Sequence, residues 1–202
     1  MPTCPAGHTS GTSDYCDVCG EQIGAAAPAA PAERSCPDCG TPAHDRFCEE
    51  CGYDFATGGG RPTPQAAPSG GWVAVIAADR DYFATVVAGN GPDAGGLAFP
   101  PDAPRREVRL SGAQVRIGRR GSAGDPPEID LRDPPGDPGV SGLHAVLLPR
   151  ADGWALVDPG STNGTCLNGA ADPIAPNVET PVGDGDRIHV GAWTTITLRE
   201  DR

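Results

Sequence analysis

The stretch of sequence that decides the fold spans residues 140–169 and reads VSGLHAVLLPRADGWALVDPGSTNGTCLNG. It holds three short runs typical of β-strands, HAVLLP from His144, GWALVD from Gly153 and TCLNG from Thr165. Between and after these runs stand Asp, Gly, Pro and Asn, the residues that form tight turns. β-type runs separated by turn residues predict an all-β structure for this part of the chain.

The same pattern extends in both directions from this stretch. The further β-type runs are WVAVIAA from Trp72, YFATVVA from Tyr82, REVRL from Arg106, AQVRIG from Ala113, RIHVG from Arg187 and TTITL from Thr194. No window shows an apolar stripe of helical period longer than two turns. About ten short strands within roughly 130 residues predict an all-β sandwich.

The first quarter of the chain differs, because it holds seven of the eight cysteines. They are Cys4, Cys16, Cys19, Cys36, Cys39, Cys48 and Cys51, whereas Cys166 stands alone within a β-type run. The first residues carry neither a basic patch nor an apolar run, which argues against a secretory signal. Thiols stay reduced in the cytosol, so closely spaced cysteine pairs indicate metal binding rather than disulfides.

This cysteine-rich segment contains one small unit made twice, because a shift of 32 residues maps Cys4 onto Cys36 and Cys16 onto Cys48. In the second unit two Cys-x-x-Cys turns supply the tetrahedral thiolate set that Zn²⁺ prefers. That set is Cys36, Cys39, Cys48 and Cys51. The alternative is a redox dithiol pair, but the βαβ context of thioredoxin-type chemistry is missing.

The first unit offers three cysteines and one histidine, with Cys-x-x-x-His in place of one Cys-x-x-Cys turn. The candidate ligands are Cys4, His8, Cys16 and Cys19. The alternative is that His8 is an ordinary surface histidine and that this unit holds no metal. The two units resemble the double zinc-ribbon module of bacterial regulatory proteins, which implies two Zn²⁺ ions.

The composition divides the chain into five segments. Residues 1–23 and 36–55 are the two zinc-ribbon units, and an Ala/Pro linker at 24–35 joins them. Residues 56–71 hold only small, Gly/Pro-type or polar side chains and are predicted to be a flexible linker. The β-sandwich occupies 72–202, and removal of zinc is expected to unfold the ribbons while leaving the sandwich intact.

The charge balance bears on the classes of partner. All 15 basic side chains are arginine, against 27 carboxylates, for a formal net charge of −12. No stretch approaches the ~20 apolar residues that a membrane span needs. The first 55 residues carry nine carboxylates and two arginines, without a basic stripe that could follow a phosphate backbone. Membrane insertion and broad nucleic-acid binding are therefore disfavoured, and a cytoplasmic location is expected.

Four motifs follow one another along the β-type region. They are Gly118-Arg119, Ser141-x-x-His144-Ala145, Gly160-Ser-Thr-Asn-Gly-Thr-x-Leu-Asn-Gly169 and Gly185-Asp-x-Ile-x-x-Gly191. In this order and at these spacings they resemble the forkhead-associated (FHA) domain, and the match covers essentially all of 72–202. The resemblance implies a sandwich of about eleven strands. It also implies that loops at one end of the sandwich bind phosphothreonine in a partner protein.

The resemblance points to four residues for phosphopeptide binding: Arg119, Ser141, Thr162 and Asn163. Phosphothreonine carries a charge of about −2 and three strong acceptor oxygens, which suit an arginine fork and hydroxyl donors. In the family, the asparagine holds the main chain of the peptide. Candidate accessory residues are Arg120, Gly142 and Ser161. Many bacterial members carry arginine where this chain has Gly142, so Arg120 is a candidate substitute for the missing cation.

Five further motif residues are expected to be structural: Gly118, His144, Gly164, Asn168 and Asp186. The resemblance implies that His144 is buried and braces the loop from inside, without a catalytic role. Gly118 lets the loop start without a side chain in the way, and the other three shape turns.

These features together predict a non-catalytic adaptor of Ser/Thr kinase signalling that binds a threonine-phosphorylated protein, such as a kinase or its substrate. The zinc ribbons would dock a second protein or serve the structure. No Ser-His-Asp order fits a hydrolase, and no Gly-rich phosphate loop with lysine exists. The composition resembles that of actinobacterial signalling proteins. The alternative is a zinc-ribbon nucleic-acid or transcription-associated factor that the FHA domain only localises.

Overall fold

The computed structural model describes residues 8, 9, 11, 34–43, 45–56, 58, 71–89, 94–121 and 126–201. Contacts divide the chain into two compact units, Met1–Arg34 and Ser35–Arg202. Most of the two predicted linkers lies outside the described residues.

Twelve strands and one α-helix make up the described part of the chain. In chain order the elements are β1 (Arg34–Ser35), β2 (Pro42–Ala43), β3 (Gly71–Ala78), α1 (Arg80–Ala88), a 3-10 turn (Ala94–Gly96), β4 (Arg106–Leu110), β5 (Val115–Gly118), β6 (Ile129–Asp130), β7 (Leu143–Arg150), β8 (Gly153–Val157), β9 (Cys166–Leu167), β10 (Thr180–Val182), β11 (Arg187–Val190) and β12 (Thr194–Asp201). β1 and β2 form a small two-stranded sheet, and the other ten strands form two sheets of five.

The two five-stranded sheets enclose one apolar core. One sheet has the order β4-β3-β12-β11-β9, and the other has the order β10-β8-β7-β5-β6. Neighbouring strands run antiparallel, except that β5 and β6 are parallel. Ile76 and Ile196 from the first sheet and Leu147 and Leu156 from the second are buried in the same cluster. Burial of apolar area from both sheets stabilises the fold, and the predicted all-β sandwich is confirmed.

The prediction of a strand from Tyr82 is wrong, because residues Arg80–Ala88 form helix α1. The Asp79 carboxylate caps this helix and accepts hydrogen bonds from the N–H groups of Asp81 and Tyr82 at 3.0 and 3.1 Å. The cap satisfies N–H groups that a helix start leaves unpaired, and it outweighs the β preference of the β-branched residues that follow. No helix in the described ranges has the length and apolar character needed to cross a membrane.

Two strands of the sandwich lack a clear sequence signal. β6 has two residues and β10 has three, and each lies at an edge of the second sheet. β10 contains Pro181, which has no N–H to donate to a neighbouring strand. A proline argues against a strand in sequence analysis, so β10 was not predicted. Both strands are held by their pairing partners in the sheet rather than by their own composition.

The second cysteine-rich unit packs against the outer face of the second sheet. Phe47, between Arg46 and Cys48, is only 1% exposed. It belongs to a separate buried cluster with Leu143, Val146, Leu148, Ala155 and Val157. Ala145 and Leu147 of β7 face the sandwich core, so β7 is buried on both faces. Two-sided burial explains why its sequence is an almost continuous apolar run.

Polar contacts join the same two parts of the molecule. The Arg46 guanidinium donates to Asp54 within its own unit at 3.2 and 3.1 Å, and to Glu179 of the sandwich at 3.1 Å. Gln114 Nε2 donates to the carbonyl of Gly52 at 3.2 Å. The unit around Phe47 is therefore a fixed part of the sandwich, in contrast to the expected independence.

We expect Phe47→Ala to lower the free energy of unfolding of the sandwich by about 3 kcal/mol, because a buried phenyl ring is replaced by a cavity. Urea denaturation followed by tryptophan fluorescence measures this change. Phe55→Ala is the matched control, since Phe55 is only partly buried and its ring packs on Tyr53 within the same unit. Equal effects of the two substitutions would show that the contact of Phe47 with the sheet is not stabilising.

Candidate functional site

An open cavity of about 320 Å³ lies where three loops meet at one end of the sandwich. These loops follow β5, precede β7 and follow β8. Five residues of the predicted phosphopeptide site line this cavity: Arg119, Gly142, Ser141, Ser161 and Thr162. The structure therefore brings together residues that lie up to 43 positions apart in sequence (162 − 119).

The backbone of Arg119 fixes its position in the cavity. Its N–H donates to the carbonyls of Ser141 and Gly142, both at 3.1 Å. Its guanidinium has no hydrogen-bonding or ionic partner among the described residues, and it is half-buried. A planar cation with free donors inside a cavity is suited to an anionic ligand.

The neighbouring arginine is arranged differently. The Arg120 guanidinium donates to Asp130 Oδ2 at 2.8 Å and also pairs with Asp133. These carboxylates hold the side chain outside the cavity, and they raise its pKa. Arg120 is therefore engaged by Asp130 and Asp133 and is not among the residues that line the cavity.

Gly118 and Gly142 come into close contact at the base of the cavity. A Cβ on Gly118 would lie 2.0 Å from the carbonyl oxygen of Gly142, so any other residue would force the strands apart. A Cβ on Gly142 would meet nothing within 4 Å. The structure thus has room for a side chain at residue 142, and the glycine there is not a steric requirement.

The hydroxyl groups of Ser141 and Thr162 meet across the cavity. Ser141 Oγ accepts a hydrogen bond from the Thr162 N–H at 3.2 Å, and the two hydroxyl oxygens are 3.4 Å apart. Both hydroxyls can turn toward a phosphate oxygen. The Ser161 hydroxyl is committed to Asp158 Oδ2 at 2.8 Å and serves the loop instead.

His144 is fully buried beneath these loops and braces them. Its Nδ1 accepts from the Ser141 N–H at 3.1 Å, and its Nε2 lies 3.2 Å from the carbonyl of Gly164. Because Nδ1 accepts, the neutral ring carries its proton on Nε2 and donates it to Gly164. Burial lowers the pKa of His144 and favours this neutral form. Both ring nitrogens are used in holding the loops.

Two buried carboxylates organise the loops around the cavity. Asp158 accepts from the N–H groups of Gly160 and Ser161 and from the Thr165 hydroxyl at 2.8, 2.6 and 2.7 Å. Burial by itself would raise the pKa of Asp158, but hydrogen bonds from Ser161 and Thr165 outweigh it and lower the pKa. The charged form therefore shapes this loop.

Asp137 is the second such carboxylate, and sequence reasoning missed it. It accepts from the N–H groups of Ala192, Trp193 and Thr194 at 2.8, 3.0 and 3.1 Å. These bonds tie the Pro-rich loop before β7 to the turn between β11 and β12. Asp137 is one of several aspartates in that loop, so its sequence context gives no signal of this role.

The remaining predicted site residues, including Asn163, are not among those that line the cavity. Asn163 is exposed, and its Nδ2 donates to the Gly139 carbonyl at 2.8 Å, which leaves its Oδ1 for a ligand. Gly164 has a φ of 74°, and a Cβ there would lie 2.7 Å from a Pro173 carbon. Asn168 Nδ2 donates to Asp186 Oδ1 at 2.8 Å. These contacts fix the turns that follow the binding loop.

The second cysteine-rich unit has the geometry of a metal centre. The sulfurs of Cys36, Cys39, Cys48 and Cys51 all lie within 4.8 Å of one another. The pairs Cys36–Cys51 and Cys39–Cys48 are each 3.5 Å apart. Tetrahedral Zn²⁺ with bonds of about 2.3 Å places its sulfurs about 3.8 Å apart, so this set is compatible with one zinc ion.

Matching backbone turns present these sulfurs. The Gly40 N–H donates to the Cys36 carbonyl, and the Gly52 N–H donates to the Cys48 carbonyl, both at 2.8 Å. Gly40 and Gly52 have φ values of 76° and 75°, which glycine adopts without strain. In the first unit, Cys4, Cys16 and Cys19 lie outside the described residues, and His8 is half-buried.

We expect the free energy of unfolding to fall as the pH drops below about 6.5, the ordinary histidine pKa. Because the folded state keeps His144 neutral, the unfolded chain binds more protons in this window, so stability is retained above it and lost below it. Urea denaturation across a pH series measures the slope. His144→Gln keeps a donor and an acceptor at similar places but does not titrate, so it should reduce the dependence of the unfolding free energy on pH. The dependence that remains should come from His189, because burial lowers its pKa as well. An unchanged slope would contradict this role of His144.

Sequence comparisons with known proteins agree with the motifs. Residues 115–191 match the family model of the FHA domain. An FHA domain-containing protein of Arabidopsis thaliana is 36% identical over 89 residues, which cover 43% of this chain and 20% of that protein. The chain therefore spans about a fifth of the length of this curated relative.

Solved structures of FHA proteins are also similar to this chain. The FhaA FHA domain complexed with the intracellular domain of Rv3910 is 27% identical with a TM-score of 0.37, over 62% of this chain and 99% of that one. Mycobacterium tuberculosis EmbR in complex with a low affinity phosphopeptide is 20% identical with a TM-score of 0.39, over 63% of this chain and 24% of that one. The family model thus makes residues 115–191 the part of this chain that is similar to an FHA domain.

Proposed function

We propose that this chain is a phosphothreonine-dependent, non-catalytic adaptor whose FHA domain binds a threonine-phosphorylated segment of a partner protein. One observation carries the proposal: the Arg119 guanidinium stands without a protein partner, among the described residues, in a cavity that also holds the hydroxyls of Ser141 and Thr162. A half-buried cation is costly to leave unpaired, so such an arrangement is favoured when a ligand supplies the anion.

The chemistry of the three groups matches a phosphate monoester. Arg119 would donate two parallel N–H bonds to phosphate oxygens, while Ser141 and Thr162 would each donate one hydroxyl. Asn163 would bind the peptide main chain through the oxygen that its bond to Gly139 leaves available. Ser161 and Gly142 would lie beside the phosphate, and neither has a charged side chain.

A catalytic role is not part of this proposal. His144 lies beneath the loops of the cavity, and both of its nitrogens are occupied by backbone groups. A histidine that acts as a general base needs a nitrogen that is free to accept a proton from the substrate. His144 would therefore brace the loops and would not act as a general base.

Phosphothreonine in proteins is made by Ser/Thr kinases, so the proposed partner is such a kinase or one of its substrates, met in the cytoplasm. We further propose that both cysteine-rich units hold Zn²⁺, through Cys36, Cys39, Cys48 and Cys51 in one and Cys4, His8, Cys16 and Cys19 in the other. When bound, the metal would supply most of the folding energy of these small units. The first unit would then be available to a second protein partner.

Arg119→Ala should weaken binding of a phosphothreonine peptide roughly 10- to 100-fold, since a hydrogen-bonded charge contributes about 1.5–3 kcal/mol. Isothermal titration of the full chain measures the affinity. Arg120→Ala is the matched control, because that side chain is already paired with Asp130 and Asp133 and should change affinity little. Ser141→Ala should cost less than Arg119→Ala.

The unphosphorylated copy of the same peptide should not bind measurably. Equal affinity for the two forms of the peptide, or equal effects of the two arginine substitutions, would refute phosphate recognition by Arg119.

Elemental analysis should find about two zinc ions per chain, one for each four-ligand set. The double substitution Cys36→Ser and Cys39→Ser should reduce the content to about one, because it removes half of one set. His8→Ala should also remove about one ion if the first unit uses this histidine. A wild-type content of one ion would restrict the metal to Cys36, Cys39, Cys48 and Cys51.

A further inference from the structure

One wall of the cavity around Arg119 belongs to the second zinc-ribbon unit. From this unit the cavity is lined by Asp45, Phe47 and Glu49, together with residues from the loops of the sandwich. Asp45 and Glu49 are both exposed. The cavity therefore has a cationic side at Arg119 and an acidic side on the ribbon.

This acidic wall, Asp45 and Glu49, is held in place. Phe47 lies between the two carboxylates in sequence and is 1% exposed against the sheet. Arg46 anchors the same segment through its ion pairs with Asp54 and Glu179, each at 3.1 Å. A peptide entering the cavity would thus meet a wall of fixed position and not a mobile loop.

The charges at the cavity do not balance for phosphate alone. Phosphothreonine brings a charge of about −2, and Arg119 supplies one positive charge, while the Glu49 carboxylate on the wall adds a further negative charge. Like charges across an interface oppose binding, and opposite charges give specificity. No hydrogen bond or ion pair engages the Glu49 carboxylate within the part of the chain that the structure describes. A ligand that also carries a cation would relieve this imbalance.

We propose that the cavity selects phosphothreonine segments with an arginine or lysine close to the phosphorylated residue, and that Glu49 of the acidic wall binds this basic side chain. The inference rests on the proposed phosphothreonine binding and specifies the class of peptide. It assigns to the zinc-ribbon unit a part in ligand recognition, through Glu49.

The test is a positional scan with fluorescent phosphothreonine peptides and the full zinc-loaded chain. Arginine replaces alanine at each position within three residues of the phosphothreonine, and anisotropy gives the affinity. At one or more positions arginine should strengthen binding about threefold or more at low salt. The gain should vanish near 1 M salt, where the screening length is about 3 Å.

Substitutions on the ribbon identify the source of the preference. Glu49→Gln should reduce the gain from arginine and tighten binding of the all-alanine peptide, and Glu49→Arg should favour peptides with a flanking glutamate. Glu50→Gln is the matched control, because Glu50 lines a different cavity beside Cys51 and Gly52. It should leave the preference unchanged.

The outcomes separate the two proposals. Binding that depends on Arg119 but is equal for arginine and alanine flanks, or a preference unchanged in Glu49→Gln, would overturn this inference and leave the proposed function standing. Absence of any binding that requires both phosphate and Arg119 would overturn the proposed function itself.

Discussion

At the end of β5 two backbone segments come so close that only glycine fits at residue 118. This approach lets the Arg119 N–H reach the carbonyls of Ser141 and Gly142, and it coincides with the register shift between Ile117 and Gly118 in the pairing of β5 with β7. The backbone of Arg119 is thereby attached to β5, which lies between β7 and the edge strand β6 in the second sheet. The backbone position of Arg119 is therefore set by strand pairing and by these two hydrogen bonds.

The fold was largely predictable because strand signals are local. Runs such as HAVLLP and TTITL carry β-branched or apolar residues between turn residues, and they became β7 and β12. Helix α1 was not predictable from composition, since its nine residues are too few for a clear helical period and its main signal is one capping side chain, Asp79. The apolar character of β7 was visible, but its cause, burial against Phe47 on the outer face, depends on a contact 96 residues away in sequence (143 − 47).

In the candidate site, too, local motifs were predictable and tertiary contacts were not. Arg119, Ser141 and Thr162 stand in motifs whose order pointed to one loop cluster, and the structure places all three at one cavity. Asp137 stands in no motif, and Glu49 stands in the Cys48-x-x-Cys51 turn, which predicts metal binding and not a place in this cavity. The roles of both residues depend on tertiary packing, which a single sequence does not encode in any local pattern. Arg120 follows Arg119 directly in sequence, but its side chain is paired with Asp130 and Asp133. This pairing could not be predicted from the position of Arg120 in the motif. Residue type and spacing therefore pointed to the residues that meet at the cavity, but not to the neighbouring groups that surround them.

Pro181 in the edge strand β10 has a consequence for assembly. A free sheet edge can accept a strand from another molecule, and natural proteins block such edges with proline, charge or short strands. Here one edge of the second sheet carries a residue without an N–H, and its other edge, β6, offers only two residues. In the first sheet, β9 is equally short, and β4 presents Glu107 and Arg109 as exposed charges. Within the part of the chain that the structure describes, growth of either five-stranded sheet by strand addition between copies is thus opposed at all four edges.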